Sequence, residues 1–424
     1  MNEHRNSQRL IVAGGRKLQG EIAVQGAKNS VLPLLAATVL CKGTAVLHNC
    51  PKLTDADAAF RILDCLGCKC EREKSVVTVN GEAMCNNQVP DGVIQEMRSS
   101  IVFLGAILGR CGNCRWSTPG GCELGARPID YHLEAFRQMG VEVENDAGFM
   151  NCTAPKGIQG ARISLPFPSV GATENIMLAA VTANGSTEIH NAAREPEIVD
   201  LANFLRKCGA KISGEGSSTI AIEGVKELYG AEHTVIPDRI VTATYMCCAA
   251  ITRGELLLTK TKQDDLSPIL PVFERIGCSV YTYSDDKIYI NARKPLSSPK
   301  KIVTHVHPGF PTDAQALLMA LTTVLPGTTI FEENIFECRY KHAGELGRLG
   351  AKINVKERVA VVEGVKRLSG AAVKSTDLRG GAALVVAGLA AEGVTKIGNI
   401  HHIDRGYESI EDALHSVGAN IKRS

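Results

Sequence analysis

The sequence predicts an α/β protein of two domains, each built from three copies of one repeated unit with buried helices and outer sheets. Three observations support this prediction. The chain has 424 residues, and a single core does not ordinarily grow to that size. One pattern of apolar residues recurs six times, at intervals of roughly 70 residues. Several helical segments are apolar nearly all round, which is typical of helices buried within a domain.

Each copy of the repeat is marked by a glycine that is followed by a small or apolar residue. This pair lies between a helical segment and a strand-like segment in which apolar and polar residues alternate. The six pairs are Gly67-Cys68, Gly140-Val141, Gly209-Ala210, Gly277-Cys278, Gly350-Ala351 and Gly418-Ala419. A second helical segment precedes each pair: Gly26–Gly43, Met97–Gly112, Val170–Gly185, Asp238–Gly254, Asp313–Gly327 and Asp377–Gly393. The spacing of apolar residues switches between a period of 2, typical of strands, and a period of 3.6, typical of helices. These switches predict strand, helix, strand, helix, strand, strand in each copy. A six-copy solenoid is the alternative, although the repeats are long and lack obvious capping copies.

The overall charge argues against a nucleic-acid-binding protein. Lys and Arg number 47 against 45 Asp and Glu, so the net charge is +2 and any anion site must be local. The polar start of the chain does not resemble a signal peptide, and no apolar run is long enough to span a membrane. We therefore expect a cytoplasmic protein with no membrane insertion.

The 15 cysteines are scattered through apolar segments, which favours structural thiols over a disulfide framework. Cys65 with Cys68, and Cys111 with Cys114, have the two-residue gap of zinc or redox sites. The first pair has no histidine nearby at ligand spacing, and the second falls at the helix-to-strand turn of the second repeat, so we expect no metal and no cofactor.

The starts of the predicted buried helices carry the candidate ligand-binding residues. A helix N-terminus presents unpaired N–H groups and the positive end of the macrodipole, and it therefore favours anions. If the helices of both domains point inward, several basic residues face one cleft and bind a polyanionic ligand. The alternative is that each basic residue lies at a solvent-exposed helix end. The residues at equivalent positions are Lys28, Asn29, Arg98, Thr173, Arg239, Asp313 and Arg379.

The sharpest local motif is Pro119–His132, a glycine-rich loop of the kind that closes over reacting groups. Cys122 lies at its tip, five residues before Arg127, where nearby cations favour a reactive thiol. The alternative is an incidental loop cysteine. An acid at a positive helix end, as Asp313 is, suits a general base acting on a hydroxyl.

Three further segments suit binding of phosphate or carboxylate. The turn Ser169-Val170-Gly171 opens a helix, a geometry in which backbone N–H groups bind phosphate. Arg339 and Arg405 lie in loops of low apolar content, where a guanidinium can bind carboxylate or phosphate in a bidentate manner. The charged segment Asn191–Asp200 contains Glu195 and Glu197, for which a structural role at a helix start is favoured over a catalytic one.

With these motifs in place, the chain resembles the UDP-N-acetylglucosamine enolpyruvyl transferase family, from Leu18 to Asn420. The motifs that carry the resemblance are GAKN (26–29), MRSS (97–100), PGGCELGARPIDYH (119–132), SVGAT (169–173), NAAREPEIVD (191–200), PDRI (237–240), FPTD (310–313), FECR (336–339), DLR (377–379) and HIDRGYE (402–408). The resemblance implies a two-domain inside-out α/β barrel fold, with one domain at 28–236 and the other formed by 1–27 and 237–424. It places the active site in the cleft between the two domains.

The resemblance also implies a reaction. The enolpyruvyl group of phosphoenolpyruvate moves to the 3-hydroxyl of UDP-N-acetylglucosamine by addition and elimination, in the first committed step of peptidoglycan biosynthesis. Asp313 takes the hydroxyl proton, and Cys122 supplies a proton to C3 and can form an adduct with phosphoenolpyruvate. Lys28, Arg127 and Arg405 hold phosphoenolpyruvate, with Arg339 and Arg379 nearby. The implied nucleotide-sugar residues are Asn29, Arg98, Arg127, Pro128, Ile129, Asp130, Tyr131, Ser169, Val170, Gly171, Asp313 and Ile335.

Three other functions stay open at this point. The sister enzyme acting on shikimate 3-phosphate shares the implied fold and donor. An inactive relative that binds UDP-sugars would keep the binding residues without turnover. A cysteine hydrolase using Cys122 with His132 is the third, although it leaves the array of cations unexplained.

Overall fold

The computed structural model describes residues 8–117, 129–146 and 148–424. These residues form two compact units. The first, which we call the 26–236 unit, consists of the described residues within that range. The second, the 237–424 unit, also contains residues 8–25. The N-terminal segment joins it because the strand Leu10–Ala13 pairs with both Val394–Gly398 and Asn420–Arg423.

Three helices contribute much of the apolar core of the 26–236 unit, namely Lys28–Ala37, Val102–Cys111 and Val170–Ala180. Nearly all of their side chains are buried, as a helix that is apolar all round requires. The second and third approach closely at Gly105, where a Cβ would lie 2.3 Å from the carbonyl oxygen of Asn175. Glycine is needed there because any larger residue would push the two helices apart.

The other long helices of this unit bury only one face. The amphipathic ones are Thr54–Leu66, Asp130–Gln138 and Pro196–Lys207, and the shorter helical segments are Thr38–Leu40, Gly81–Ala83, Asp91–Gln95 and Arg98–Ile101. The described strands of this unit form separate sheets. Two have four strands each, in the orders Arg162–Ser164, Ser186–His190, Thr219–Glu223, Lys211–Ser213 and Glu232–Thr234, Thr44–His48, Val76–Asn80, Lys69–Glu73. A third has the order Asn113–Ser117, Phe149–Thr153, Glu142–Asp146, and Leu228–Tyr229 pairs with Cys41–Lys42 in a fourth.

The 237–424 unit has a similar set of elements. Its buried helices are Arg239–Ile251, Thr312–Thr322 and Leu378–Ala390, and the others are Asp264–Leu266, Leu270–Ile276, Lys341–Arg348, Ile400–Arg405 and Ile410–Ser416. Its sheets have the orders Ala372–Lys374, Val394–Gly398, Leu10–Ala13, Asn420–Arg423; Ser279–Ser284, Lys287–Asn291, Glu255–Thr259, Gln19–Ala23; and Lys301–Val303, Thr328–Glu332, Val359–Glu363, Lys352–Lys356.

The observed class is mixed α/β, which confirms the predicted class, but the strands form separate sheets. Among the residues that the structure describes, no sheet closes into a barrel. Each sheet ends in strands that pair on one side only, such as Lys301–Val303, which is parallel to Thr328–Glu332 and pairs with no further strand of its sheet. The predicted barrel therefore does not extend to a closed ring of hydrogen-bonded strands.

The six marker glycines share one backbone conformation. All have φ between 81 and 106°, in the left-handed region that glycine adopts without the steric cost of a Cβ. In the first copy, Gly67 caps the helix Thr54–Leu66 immediately before the strand Lys69–Glu73. The sequence marker thus corresponds to the turn from helix to strand. The six glycines are Gly67, Gly140, Gly209, Gly277, Gly350 and Gly418.

The cysteines within the described ranges are free thiols, most of them buried or half-buried. Burial raises the pKa of the Cys50 thiol to about 12, which keeps it protonated. No group of three or more His, Cys, Asp or Glu side chains suited to a metal occurs in the described part of the chain. Among the described helices, none has both the length and the apolar character that crossing a bilayer requires.

Candidate active site

Lys28 is the first residue of a buried helix in the 26–236 unit. Its side chain is largely withdrawn from water, and its ammonium lies 3.0 Å from the carboxylate of Asp55. Asp55 lies in the first turn of the helix Thr54–Leu66 and is also buried. Asn29 follows Lys28 in the same first turn and is half-buried. The sequence therefore identified this helix start correctly but missed the acid that pairs with the lysine.

Further buried acids lie near Lys28. The pKa of Glu174 is raised well above its ordinary value, because burial removes the carboxyl from water and because Glu197 and Glu195 repel its charge, while Lys28 opposes the shift. Glu195 occupies the N-cap position of the helix Pro196–Lys207, yet its side chain accepts from the backbone of Arg194 and does not cap that helix. The surroundings of Lys28 thus contain acidic as well as basic groups.

The turn at Ser169 begins the helix Val170–Ala180 as predicted. The Ser169 hydroxyl accepts a hydrogen bond from the Ala172 N–H at 3.3 Å, a regular N-cap contact. A Cβ on Gly171 would lie 3.3 Å from Cε1 of His132, so glycine keeps the imidazole close to the helix start. Val170 and Gly171 are partly exposed.

His132 is held in one neutral tautomer by Asn175. The Asn175 Oδ1 accepts from the Gly105 N–H at 2.7 Å, so its amide nitrogen must face Ile101 O at 3.0 Å and His132 Nδ1 at 2.7 Å. Nδ1 is then an acceptor, and the ring proton resides on Nε2. Burial and repulsion by Arg98 lower the pKa of His132 to about 4, which keeps the ring neutral.

The remaining predicted residues of this unit are placed in part. Arg98 is half-buried and begins the 3-10 turn Arg98–Ile101 that precedes the α-helix, which differs from the predicted α-helix start. Ile129 is the N-cap residue of the helix Asp130–Gln138, in which Asp130 is exposed and Tyr131 half-buried. The predictions for Cys122, Arg127 and Pro128 lie outside the described residues.

In the 237–424 unit, two arginines bind the carboxylate of Asp313. Arg339 Nη2 donates to Oδ1 at 2.9 Å, while Arg379 Nε and Nη2 donate to Oδ2 at 3.3 and 3.2 Å. Both arginines are 2% exposed, whereas the Asp313 side chain is 27% exposed. The carboxylate of Asp313 is therefore held by two buried arginines and remains accessible to solvent. The structure brings together these three predicted residues from three separate segments.

Glu333 fixes the start of the Asp313 helix, although it is not among the predicted site residues. It is fully buried, its Oε2 accepts from the Thr312 hydroxyl at 3.0 Å, and its Oε1 accepts from the N–H groups of Ile335 and Phe336 at 2.9 and 3.1 Å. One carboxylate thus ties the helix start to the loop with Ile335. No signal in the sequence pointed to it, because Glu333 stands between Glu332 and Asn334 in a largely polar segment.

Arg379 lies at the start of the helix Leu378–Ala390, capped by Asp377. The Asp377 Oδ1 accepts from the N–H groups of Arg379 and Gly380, each at 3.0 Å. Burial tends to raise the pKa of Asp377, but Arg339 and the Gly380 N–H outweigh that effect and lower it. The cap is therefore ionised, and it supports the two arginines that bind Asp313.

Tyr407 connects Arg379 to the loop that contains Arg405. Its hydroxyl lies 3.3 Å from Arg379 Nη1 and 2.8 Å from the hydroxyl of Thr244. Arg405 is half-buried and ends the 3-10 turn Ile400–Arg405, two residues before the tyrosine. Neither Tyr407 nor Thr244 stood out in the sequence, because both contacts depend on tertiary packing.

Comparison with known proteins gives matches over nearly the whole chain. A family model described as EPSP synthase (3-phosphoshikimate 1-carboxyvinyltransferase) matches residues 12–414. UDP-N-acetylglucosamine 1-carboxyvinyltransferase 2 of Caldanaerobacter subterraneus subsp. tengcongensis is 48% identical over 412 residues, covering 97% of this chain and 98% of that protein. The protein of the same name from Carboxydothermus hydrogenoformans is 46% identical, with 98% and 99% covered.

Solved structures agree with the sequence matches. The enolpyruvyl transferase NikO from Streptomyces tendae superposes with a TM-score of 0.89 at 25% identity, covering 98% of this chain and 99% of that one. EPSP synthase from Acinetobacter baumannii gives a TM-score of 0.77 at 19% identity, with 99% and 100% covered, and shows the same fold.

Proposed function

The chain belongs to the EPSP synthase family, and on that premise we propose that it transfers the enolpyruvyl group of phosphoenolpyruvate to the 3-hydroxyl of UDP-N-acetylglucosamine, with release of phosphate. The observation that carries this proposal is the identity of 48% and 46%, over nearly the full chain, with two relatives named for that transfer. The enzyme then acts in the cytoplasm, at the first committed step of peptidoglycan biosynthesis, without a cofactor.

Asp313 is the proposed general base. Its carboxylate accepts the proton of the sugar 3-hydroxyl while that oxygen forms a bond to C2 of phosphoenolpyruvate. The contacts of Arg339 and Arg379 support this role, because they orient both carboxylate oxygens and leave the side chain 27% exposed. The incoming hydroxyl replaces one of these hydrogen bonds, which frees an arginine N–H for an anionic substrate group.

Cys122 is the proposed acid for the other half of the addition, on the basis of the resemblance. It gives a proton to C3 of phosphoenolpyruvate as C2 is attacked, which produces a tetrahedral ketal. In the elimination, the Cys122 thiolate takes a proton back from C3 and the bond from C2 to the phosphate oxygen breaks. The double bond then re-forms on the new ether, and phosphate departs.

The anionic groups of phosphoenolpyruvate are assigned to Lys28, Arg127 and Arg405, with Arg339 and Arg379 nearby. For Lys28, the support is its position at a helix start, where its ammonium and the backbone N–H groups favour an anion. Its ion pair with Asp55 keeps the lysine oriented before the substrate arrives.

The nucleotide sugar is assigned to a second group of residues. The partly exposed turn Ser169–Gly171 opens a helix, which supports a contact with the diphosphate. Ile335, held by Glu333, is fixed relative to Asp313 and supports placement of the sugar beside the base. The full proposed set is Asn29, Arg98, Arg127, Pro128, Ile129, Asp130, Tyr131, Ser169, Val170, Gly171, Asp313 and Ile335.

We also propose the finer architecture, in which each domain consists of three repeats and the domains are 28–236 and 1–27 with 237–424. The shared conformation of the six marker glycines supports one repeated unit. The recurring sheet pattern also supports it: a parallel pair is followed by antiparallel pairs in Lys301–Val303 and its neighbours, and again in Arg162–Ser164 and its neighbours.

A phosphate-release assay with different acceptors tests the function. We expect phosphate only when phosphoenolpyruvate and UDP-N-acetylglucosamine are both present. Turnover with shikimate 3-phosphate instead would indicate the sister reaction, which the description of the family model also names. Calorimetric binding of the UDP-sugar without phosphate release would indicate an inactive relative, and ester cleavage would indicate a hydrolase.

A further inference from the structure

We propose that Tyr407 and Thr244 are positioning residues, which orient the guanidinium of Arg379 toward Asp313 through a directed chain of hydrogen bonds. The proposal rests on the proposed function for its readout, but its geometry lies entirely within the 237–424 unit. All three side chains are deeply buried, with exposures of 2% for Arg379, 1% for Tyr407 and 0% for Thr244. Water therefore does not replace a lost partner in the native packing.

The direction of this chain follows from counting protons. The Thr244 hydroxyl donates to the Ile240 carbonyl at 2.8 Å within the helix Arg239–Ile251. A threonine hydroxyl has a single proton, so in the 2.8 Å contact between Thr244 and Tyr407 the tyrosine must be the donor. The Tyr407 oxygen is then free to accept from Arg379 Nη1 at 3.3 Å.

This direction determines what Tyr407 does for Arg379. If the tyrosine proton pointed at the guanidinium, it would repel the cation, and Thr244 prevents that orientation. The hydroxyl oxygen thus holds Nη1, while Nε and Nη2 face Asp313 Oδ2. The guanidinium carbon also lies 5.7 Å from the centre of the tyrosine ring.

The phenol stays protonated in this environment. Burial raises the pKa of Tyr407, although the positive charge of Arg379 opposes the shift. The acceptor that Arg379 sees is therefore a neutral oxygen at working pH. The ion pair of the arginine is kept for Asp313 and for an anionic substrate.

The variant Tyr407→Phe tests the hydroxyl alone, since the ring and its contact with the guanidinium remain. We expect kcat/KM to fall by about 10- to 100-fold, the range for losing a hydrogen bond to a buried charged group. The loss should appear in kcat and in the KM for phosphoenolpyruvate, with the calorimetric Kd for UDP-N-acetylglucosamine unchanged. Thr244→Val should reproduce part of this loss of activity. Thr244→Ser should retain wild-type activity, because serine keeps the hydroxyl that accepts from Tyr407.

Tyr289→Phe is the matched control. It removes a tyrosine hydroxyl of the same unit that is bonded at 2.8 Å to Glu255, on a partly exposed side chain between the buried Ile288 and Ile290. We expect its activity to equal that of the wild type. A double-mutant cycle with Arg379→Lys makes the mechanism explicit, since Tyr407→Phe should add little in that background.

Three results would overturn the positioning role: Tyr407→Phe within about two-fold of wild-type activity, an equal loss in the Arg379→Lys background, or a parallel rise in the Kd for the nucleotide sugar. Failure of the proposed function is separate, because it shows in the wild type as absence of phosphate release. In that case, and for any variant without turnover, the same cycle measured on the calorimetric Kd of phosphoenolpyruvate decides the positioning role.

Discussion

Replacing Glu333 with alanine removes the acceptor of three hydrogen bonds at the start of the helix that carries Asp313. The donors are the Thr312 hydroxyl and the N–H groups of Ile335 and Phe336, and Glu333 itself is fully buried. With a net value of about 1 kcal/mol for each bond, the loss is at least about 3 kcal/mol. For a unit of this size, that corresponds to a fall of about 6–12 °C in the melting temperature.

Activity should also fall, because the loop with Ile335 is no longer tied to the Asp313 helix. We expect a rise in the KM for UDP-N-acetylglucosamine and a loss of about 10-fold or more in kcat/KM, since small displacements of a base are costly. Glu333→Gln retains the oxygen that accepts both N–H groups and should lose only about 1 kcal/mol. Thermal unfolding followed by circular dichroism, and phosphate release, measure the two effects.

The neighbouring Glu332 supplies the control. Its carboxylate forms an exposed ion pair with Lys301 at 2.6 Å, and such pairs contribute about 0–1 kcal/mol. Glu332→Ala should therefore melt within about 3 °C of the wild type and retain its KM values. If Glu333→Ala behaved like Glu332→Ala in both measurements, the tie between the helix and the loop would have no energetic importance.

Three further predictions follow from the same contacts. Asp313→Asn should lower kcat by about 100-fold or more in the phosphate-release assay, while Asp285→Asn, an exposed change in the same unit, should not; comparable rates for both would remove Asp313 as the base. Cys122→Asp should keep activity and escape thiol alkylation, because a carboxylic acid can donate the proton, and complete loss of turnover would instead favour an obligatory covalent adduct. Burial lowers the pKa values of His132 and His342 to about 4, below the ordinary 6.5. Between these pH values the unfolded chain binds more protons than the folded one, so the free energy of unfolding should fall as the pH is lowered from about 6.5 to about 4. Melting temperatures that stay constant from pH 7 to about 4.5 would contradict this.

Local features were predictable wherever a short segment determines its own conformation. The marker glycines such as Gly67 have the backbone angles that the helix-to-strand turn needs, and the helix that was expected from Asp313 begins at Thr312. The start of the helix at Val170 was predicted correctly for the same reason, and the structure adds that Ser169 is its cap. Arg98 was assigned to an α-helix and lies in a 3-10 turn, a distinction that hydrophobic periodicity does not make.

The partners of the candidate residues were not predictable, because they come from distant segments. Asp313 and Arg379 are 66 residues apart, and Thr244 and Tyr407 are 163 apart, so no periodic pattern links them. The ion pair between Lys28 and Asp55 was missed for a related reason. Asp55 looked like an ordinary residue of an amphipathic helix until the packing placed it 3.0 Å from the lysine.

The position of Leu10–Ala13 between Val394–Gly398 and Asn420–Arg423 has a consequence for biosynthesis. The ribosome synthesises Leu10–Ala13 first. Its two neighbouring strands follow hundreds of residues later, so the early strand stays unpaired until both have been made. The 26–236 unit contains only its own segment and can fold during that interval. A fragment expressed from residue 237 onward would lack the strands Leu10–Ala13 and Gln19–Ala23 and should recover its fold only when a peptide of residues 8–25 is supplied.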